Sequence, residues 1–265
     1  TFESHVVKPR LLVSIQSPEE LDIVFECGVS WIDLKNPNAG SLGRPTKEVL
    51  DQVGVKIVDS LSQRQTLPPC FSVALGELLE SKESQIASEF EPYRYLKIGL
   101  SRMGNRTDAR TLIQNQVRTM DHGGRWILVY YADHEAAESP SFDSVLEWSQ
   151  EIGAEFVLVD TFVKGSYRLF DLLSARDLEE MIERTHLAGI KISLAGSLTS
   201  QDIESHLQLG PDVWAVRSAA CTQGNRKRGI DRMRVAHLQS ILDRNLSDSA
   251  LQGMNPMLFA SGQGS

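Results

Sequence analysis

Cysteine and long apolar runs are scarce in this sequence. Only three cysteines, Cys27, Cys70 and Cys221, occur among 265 residues, and they are widely separated, with no metal-site spacing. We therefore expect no disulfide framework, no bound metal and a reducing, cytoplasmic compartment. No stretch reaches the roughly 18 apolar residues that a membrane-spanning helix needs. The first ten residues lack the apolar core of a secretory signal.

Positive charge is also in short supply. Lysine and arginine total 27 against 35 acidic residues, which gives a net charge of −8 and a pI near 5.3. A general nucleic-acid binder or a protein held on an anionic membrane needs a net positive surface, so we expect neither partner. A local cationic pocket for a phosphorylated small molecule is compatible with this balance. The 41% hydrophobic and 23% charged residues are typical of an ordered globular protein.

Short apolar runs alternate with segments that carry helical start signals. Runs of this length and composition are typical of strands buried on both faces of a parallel sheet. Ser17 with Pro18, and later Thr46 and Ser200, are residues that favour the first positions of a helix. The eight runs lie at residues 11–13, 31–34, 71–75, 95–98, 126–130, 156–159, 190–194 and 213–216.

This alternation predicts a single α/β domain, a (β/α)8 TIM barrel over residues 1–243. Eight right-handed βαβ units in roughly 240 residues match such a barrel in count and length. An open doubly wound sheet is the alternative, but its first turn is usually glycine-rich, and residues 14–17 contain no glycine. Residues 244–265 are rich in serine, glycine, glutamine and methionine. They predict a C-terminal tail that is mobile or docked on a neighbouring subunit.

Lysines stand at the ends of three predicted strands. They are Lys35, Lys97 and Lys164, and Asp33 and Asp160 lie close to two of them. The active site of such a barrel lies at the C-terminal ends of its strands, so we expect these side chains to converge. A single lysine could simply extend to solvent or form a structural salt bridge. Three together indicate amine chemistry, because burial among cations lowers a lysine pKa and the neutral amine can then attack a carbonyl as a Schiff-base nucleophile.

Small residues follow the seventh and eighth strands. Gly196 and Ser197 come after the seventh, and Arg217, Ser218 and Ala219 come after the eighth. Such loops let backbone N–H groups approach an anion, so we expect a phosphate here, with a charge-assisted contact from Arg217. Tight turns alone would also explain the small residues. The Gly- and Ser-rich segment 36–43 is a second, weaker candidate for an anion-binding or substrate-covering loop.

One segment of the sequence is long enough to carry a family resemblance. Asp33-Leu34-Lys35-Asn36-Pro37 with Gly40-Ser41-Leu42-Gly43 resembles the D-x-K-N-P-x-x-G-S-L-G signature of the (5-formylfuran-3-yl)methyl phosphate synthase family. Shorter matches follow in order over roughly residues 10–242: 97–100, 160–165 with 169–171, 194–198 and 216–221. Two departures affect the shape of the loops, since Ser166 and Ser218 stand where the family usually has glycine.

The resemblance implies a lyase without a cofactor. Two molecules of glyceraldehyde 3-phosphate would condense, with loss of phosphate and water, to the furan of methanofuran or a related one-carbon carrier. Lys35 matches the family's Schiff-base lysine, and its other functional positions fall on Lys97, Lys164, Asp33 and Asp160. Two alternatives stay open: a phosphate-binding isomerase with aspartate acid–base chemistry, and an inactive barrel that serves as a scaffold. We also expect a homo-oligomer.

Overall fold

The chain forms a closed eight-stranded parallel barrel, which confirms the predicted fold. The computed structural model describes residues 9–63, 69–80, 90–120 and 125–252. Each strand pairs with the next along the chain, and β8 closes the ring on β1. The strands are β1 Arg10–Ile15, β2 Trp31–Leu34, β3 Cys70–Glu77, β4 Tyr95–Gly99, β5 Trp126–Tyr131, β6 Phe156–Asp160, β7 Lys191–Leu194 and β8 Val213–Val216.

Helices cover the outside of the barrel. Ser141, Ser174 and Thr199 begin three of them, and each side chain accepts a hydrogen bond from a backbone N–H of the first turn, which satisfies a donor that the helix leaves free. The helices are α1 Pro18–Glu26, α2 Lys47–Gln63, α3 Ala109–Met120, α4 Phe142–Glu151, α5 Leu169–Leu172, α6 Ala175–Leu187, α7 Ser200–Ser205 and α8 Arg232–Gln252.

The predicted C-terminal tail, residues 244–265, stays a prediction. Helix α8 continues to Gln252, so a tail that begins at residue 244 would begin inside this helix. Residues 253–265 lie outside the described residues, as do residues 1–8. Between β3 and β4 the described residues include the 3-10 turn Leu78–Glu80, and residues 81–89 lie outside the described residues. Within the described residues, no helix has the length and apolarity needed to cross a membrane.

An aromatic layer closes the N-terminal end of the barrel interior. Trp31, Tyr95 and Phe156 are the first residues of β2, β4 and β6. Their rings contact one another at centroid distances of 4.9–5.4 Å, and all three are buried. Side chains of a strand alternate between its faces. The positions two and four residues further along therefore point into the same interior, toward the C-terminal mouth.

Candidate active site

Asp33 and Lys97 form an ion pair inside the barrel. Lys97 Nζ lies 2.6 Å from Asp33 Oδ2, and the side chains are 4% and 0% exposed. Ser14 donates to Oδ2 at 3.0 Å and Ser72 to Oδ1 at 2.8 Å, because these serines are the register partners of Asp33 on β1 and β3. Three donors from three strands thus hold a carboxylate that would be costly to bury alone.

Asp160 and Lys164 form a second ion pair nearer the mouth. Lys164 Nζ lies 2.6 Å from Asp160 Oδ1, and Ser41 Oγ lies 2.9 Å from Oδ2. Burial raises the pKa of Asp160, but Lys164 and Lys35 outweigh this effect and lower it to about 2. Asp160 is therefore ionised at neutral pH and suited to stabilise a neighbouring cation. Burial also lowers the pKa of Lys164, against the opposing charge of Asp160.

Lys35 lies between these two pairs. It follows β2 directly and is 9% exposed, yet its Nζ makes no hydrogen bond or ion pair within the part of the chain that the structure describes. Burial lowers the pKa of Lys35 to about 7; Asp160 opposes this effect, and Lys97 and Lys164 add to it. The amine is therefore substantially neutral near pH 7, the form that acts as a nucleophile.

Holding this amine in the barrel should cost stability. Lys35→Met is expected to raise the free energy of unfolding at pH 7 by on the order of 2–4 kcal/mol. The reason is that the Lys35 amine binds a proton more weakly in the folded protein than in the unfolded chain, which favours unfolding, and methionine removes this penalty. The gain should be largest at pH 7 and below, and should fade as the pH rises toward 10.5, the ordinary pKa of the amine. Urea unfolding at pH 7 and pH 10 measures it. A loss of stability at pH 7 would contradict this account.

Asp133 positions the loop that carries Lys164. Its two carboxylate oxygens accept hydrogen bonds from the backbone N–H groups of Phe162 and Val163 at 2.6 and 2.8 Å. Asp133 follows β5, so the end of one strand fixes the loop after the next. Sequence reasoning missed this role, as it missed those of Ser14, Ser72 and Ser41. Only Ser41 had a local signal, since it lies in the Gly- and Ser-rich segment after Lys35.

The loops after β7 and β8 present backbone donors without acceptors. Gly196 and Ser197 have φ values of +99° and +55°, and a Cβ on Gly196 would meet Thr161 at 3.0 Å, so glycine is required there. Among the described residues, the N–H groups of Gly196, Ser197, Ser218 and Ala219 donate to no protein oxygen. Such a group of free N–H donors is suited to bind an anion.

Arg217 is held by acceptors of the protein itself. Its guanidinium is buried, and all five donors contact protein oxygens: Glu20 through both carboxylate oxygens at 2.5 and 3.0 Å, and the carbonyls of Ser14, Arg226 and Arg228 at 2.9 Å each. A guanidinium has five N–H groups, so none is left for a phosphate. The phosphate contact expected of Arg217 stays a prediction. Through its ion pair with Glu20, Arg217 links the loop after β8 to helix α1.

One cavity brings most of the predicted site residues together. It is lined by Lys35, Lys97, Asp160 and Lys164 together with Gly196, Ser197, Arg217 and Ser218. Asp33 is not in its lining and lies against Lys97, while Ala219 borders a second cavity further out. Among the described residues, no group of three or more histidine, cysteine, aspartate or glutamate side chains could hold a metal ion.

Buried amines paired with carboxylates at the mouth of a closed barrel define a class, the (β/α)8 barrels with a lysine-lined site. The family is more specific: the 4-HFC-P synthase family model matches residues 11–239, and the chain belongs to this family. A (5-formylfuran-3-yl)methyl phosphate synthase of Methanopyrus kandleri is 32% identical over 85% of this chain and 95% of its own length. One of Methanocaldococcus jannaschii is 28% identical over 87% and 98%. Membership confirms the predicted resemblance and the prediction that the chain is an enzyme.

Solved structures share the barrel at low sequence identity. Phosphoribosyl anthranilate isomerase from Thermus thermophilus superposes with a TM-score of 0.57 at 14% identity, over 89% of this chain and 99% of that one. Thiamine phosphate pyrophosphorylase from Pyrococcus furiosus gives 0.56 at 15%, over 91% and 98%. At such identities the likeness shows the fold alone.

Proposed function

We propose that the protein makes (5-formylfuran-3-yl)methyl phosphate from two molecules of glyceraldehyde 3-phosphate, through a Schiff base on Lys35. The observation that carries this proposal is the buried Lys35 amine, held between two lysine–aspartate pairs without a protein partner of its own among the described residues. A neutral, buried amine in a cavity lined by charged groups is suited to attack a carbonyl carbon. The family names support the product, which would serve methanofuran biosynthesis or a related one-carbon carrier.

The first step forms a covalent bond to the substrate. Lys35 Nζ attacks the carbonyl carbon of one triose phosphate, the carbonyl oxygen leaves as water, and an iminium remains. The ionised Asp160 stabilises this cation, because opposite charges interact strongly at a water-poor site. The iminium acidifies the neighbouring C–H bond, and its loss gives an enamine. Lys164, whose pKa is lowered, is placed beside Asp160 to carry the proton.

The second step joins the two substrates. The enamine carbon adds to the aldehyde of the second triose phosphate, and one carbon–carbon bond forms. A water molecule then hydrolyses the iminium and frees Lys35, and cyclisation closes the furan. Over the whole reaction the atoms balance when one phosphate and two molecules of water leave. No oxidant, reductant or cofactor enters this balance. Lys97 and Asp33 lie below Lys35 in the barrel. Burial is the main reason that the pKa of Lys35 is lowered; the charge of Lys97 adds to this effect and the charge of Asp33 opposes it.

The loops after β7 and β8 would bind a substrate phosphate. The free N–H groups of Gly196, Ser197, Ser218 and Ala219 support this part of the proposal. Their loops border the cavity that contains the lysines, so a phosphate held there would place the attached three-carbon chain toward Lys35. The small-molecule substrate, the cytoplasmic location, the lack of a cofactor and the homo-oligomeric state belong to the same proposal.

Incubation of the purified protein with glyceraldehyde 3-phosphate tests the function directly. A new furan-aldehyde absorbance, with release of inorganic phosphate, supports the synthase. Rearrangement to another triose phosphate without a furan would instead indicate the isomerase alternative. No change in substrate would leave the scaffold alternative. Phosphate release without a furan would contradict the proposed cyclisation.

The nucleophile should impose a pH dependence. Imine formation with unphosphorylated glyceraldehyde, quenched with borohydride and followed by mass spectrometry, is expected to accelerate with rising pH and to level off above an inflection near pH 7. The reason is that Lys35, with a pKa of about 7, loses its proton across this range and only the neutral amine reacts. The neutral probe avoids titration of a substrate phosphate. A rate that still climbs steeply at pH 9 would show that Lys35 has an ordinary lysine pKa.

A further inference from the structure

Two arginines border the barrel mouth and differ in how many of their donors are used. Arg217 donates all five N–H groups to protein oxygens. For Arg226, the described residues offer one acceptor: Nη2 lies 2.9 Å from the carbonyl oxygen of Gly40, and Nε is buried with no partner among them. A guanidinium carries five donors in a fixed plane. Most of those on Arg226 therefore remain available to a ligand.

Arg226 stands between two cavities. The inner cavity, of about 30 Å³, contains the three lysines. The outer cavity, of about 400 Å³, lies among the loops after β6, β7 and β8. Ser197, Ser218 and Arg226 line both. A molecule that reaches the lysines from the outer cavity therefore passes the Arg226 guanidinium and the backbone of the two small-residue loops.

The surroundings of Arg226 favour an anionic ligand. Burial lowers the pKa of its guanidinium; Asp160 opposes this effect, and the nearby positive charge of Arg217 adds to it. A partly buried cation with few protein acceptors is stabilised when an anion binds to it through charge-assisted hydrogen bonds. A phosphate offers several acceptor oxygens and matches the planar donors of an arginine.

We propose that Arg226 recognises the substrate phosphate at the boundary of the two cavities, together with the free N–H groups of the loops after β7 and β8. The inference rests on the proposed function for the identity of the substrate. The site itself requires only a phosphate group, free or esterified. Sequence analysis predicted the phosphate contact at Arg217; this proposal places it at Arg226, nine positions later in the same loop.

The same side chain links two loops across the mouth. The contact from Arg226 to Gly40 joins the loop after β8 to the loop after β2. The inner cavity opens to solvent at this mouth, so the two linked loops border the route to the lysines. A phosphate bound to the remaining donors of Arg226 would therefore be held beside both loops.

Arg226→Gln tests the proposal, because it removes the charge and leaves the backbone anchor from Arg217 to the carbonyl of residue 226 in place. Titration calorimetry with inorganic phosphate should show a Kd about 10- to 100-fold weaker, with a similar rise in KM for glyceraldehyde 3-phosphate and kcat within about threefold. Arg226→Lys should recover part of the loss. Lys227→Gln makes the same charge change at the exposed neighbouring position and should leave Kd and KM within about twofold.

The outcomes separate this proposal from the proposed function. An unchanged phosphate Kd in a folded Arg226→Gln variant overturns the assignment, even if the enzyme makes the furan. A lower kcat with unchanged Kd and KM also overturns it. A selective loss of phosphate binding supports it even if no furan forms, because binding is measured without turnover. Equal losses in Arg226→Gln and Lys227→Gln would show general charge attraction and overturn the specific role.

Discussion

Replacing Lys35 with arginine is expected to abolish both covalent labelling and turnover. In the unaltered protein, borohydride with glyceraldehyde 3-phosphate should fix a triose-phosphate mass on the peptide that contains Lys35. Arginine is similar in length and carries a permanent positive charge, but it is not a nucleophile at neutral pH. Loss of a covalent nucleophile lowers kcat on the order of 10³-fold or more. Peptide mass spectrometry and the furan absorbance measure the two effects.

The same substitution at the other lysines provides the control. Lys97→Arg and Lys164→Arg should slow turnover but leave the label on Lys35, because each keeps the charge beside its aspartate. A label on Lys97 or Lys164 in the unaltered protein would show that the roles of the lysines are assigned wrongly, with the family unaffected. Furan formation without any labelled lysine would replace covalent catalysis by acid–base chemistry at Asp33 and Asp160.

Replacing Arg217 with methionine is expected to destabilise the fold more than any other single change at the mouth. Its ion pair with Glu20 has side chains that are 4% and 5% exposed. Removal of one partner leaves a buried carboxylate without its cation, which typically costs about 3–5 kcal/mol. The carbonyls of Arg226 and Arg228 lose their donor as well, so the loop after β8 loses its anchor. Urea unfolding measures the loss.

A double variant distinguishes this role from ligand binding. Glu20→Gln together with Arg217→Met removes both charges, so the double variant should be more stable than the sum of the two single losses predicts. If Arg217 instead bound the substrate phosphate, Arg217→Met would raise KM and leave the free energy of unfolding nearly unchanged. A stability loss below about 1 kcal/mol would therefore restore the original assignment of Arg217.

Features with a local signal could be predicted from the sequence. Trp31–Leu34 is short and apolar, which is enough to indicate a strand buried on both faces. The two-residue period of a strand then places Asp33 and Lys35 on the same face. Eight such runs with helical segments between them leave few topologies besides the barrel. The convergence of the lysines follows from the barrel, since all its strands end at the same mouth.

Partners that depend on closure of the barrel could not be predicted. Glu20 and Arg217 are 197 positions apart, and they meet only because β8 pairs with β1. A charged residue at a strand end has the same local sequence whether it binds a ligand or a buried carboxylate. Arg226 lies in the segment Arg226-Lys227-Arg228, which has the composition of a solvated surface loop. Only the fold shows that one of these three side chains reaches across the mouth to Gly40.

The aromatic layer of Trp31, Tyr95 and Phe156 blocks the N-terminal end of the barrel interior, so molecules reach Lys35 from the C-terminal mouth. Under the proposed reaction, two substrates must enter and a product, a phosphate and water must leave through the same opening. The two substrates must therefore bind in order, because the first triose phosphate has to be attached to Lys35 before the second occupies the mouth. Covalent attachment then has a purpose beyond activating a carbon atom. It holds the first triose phosphate in the active site while the mouth of the barrel is open to the second.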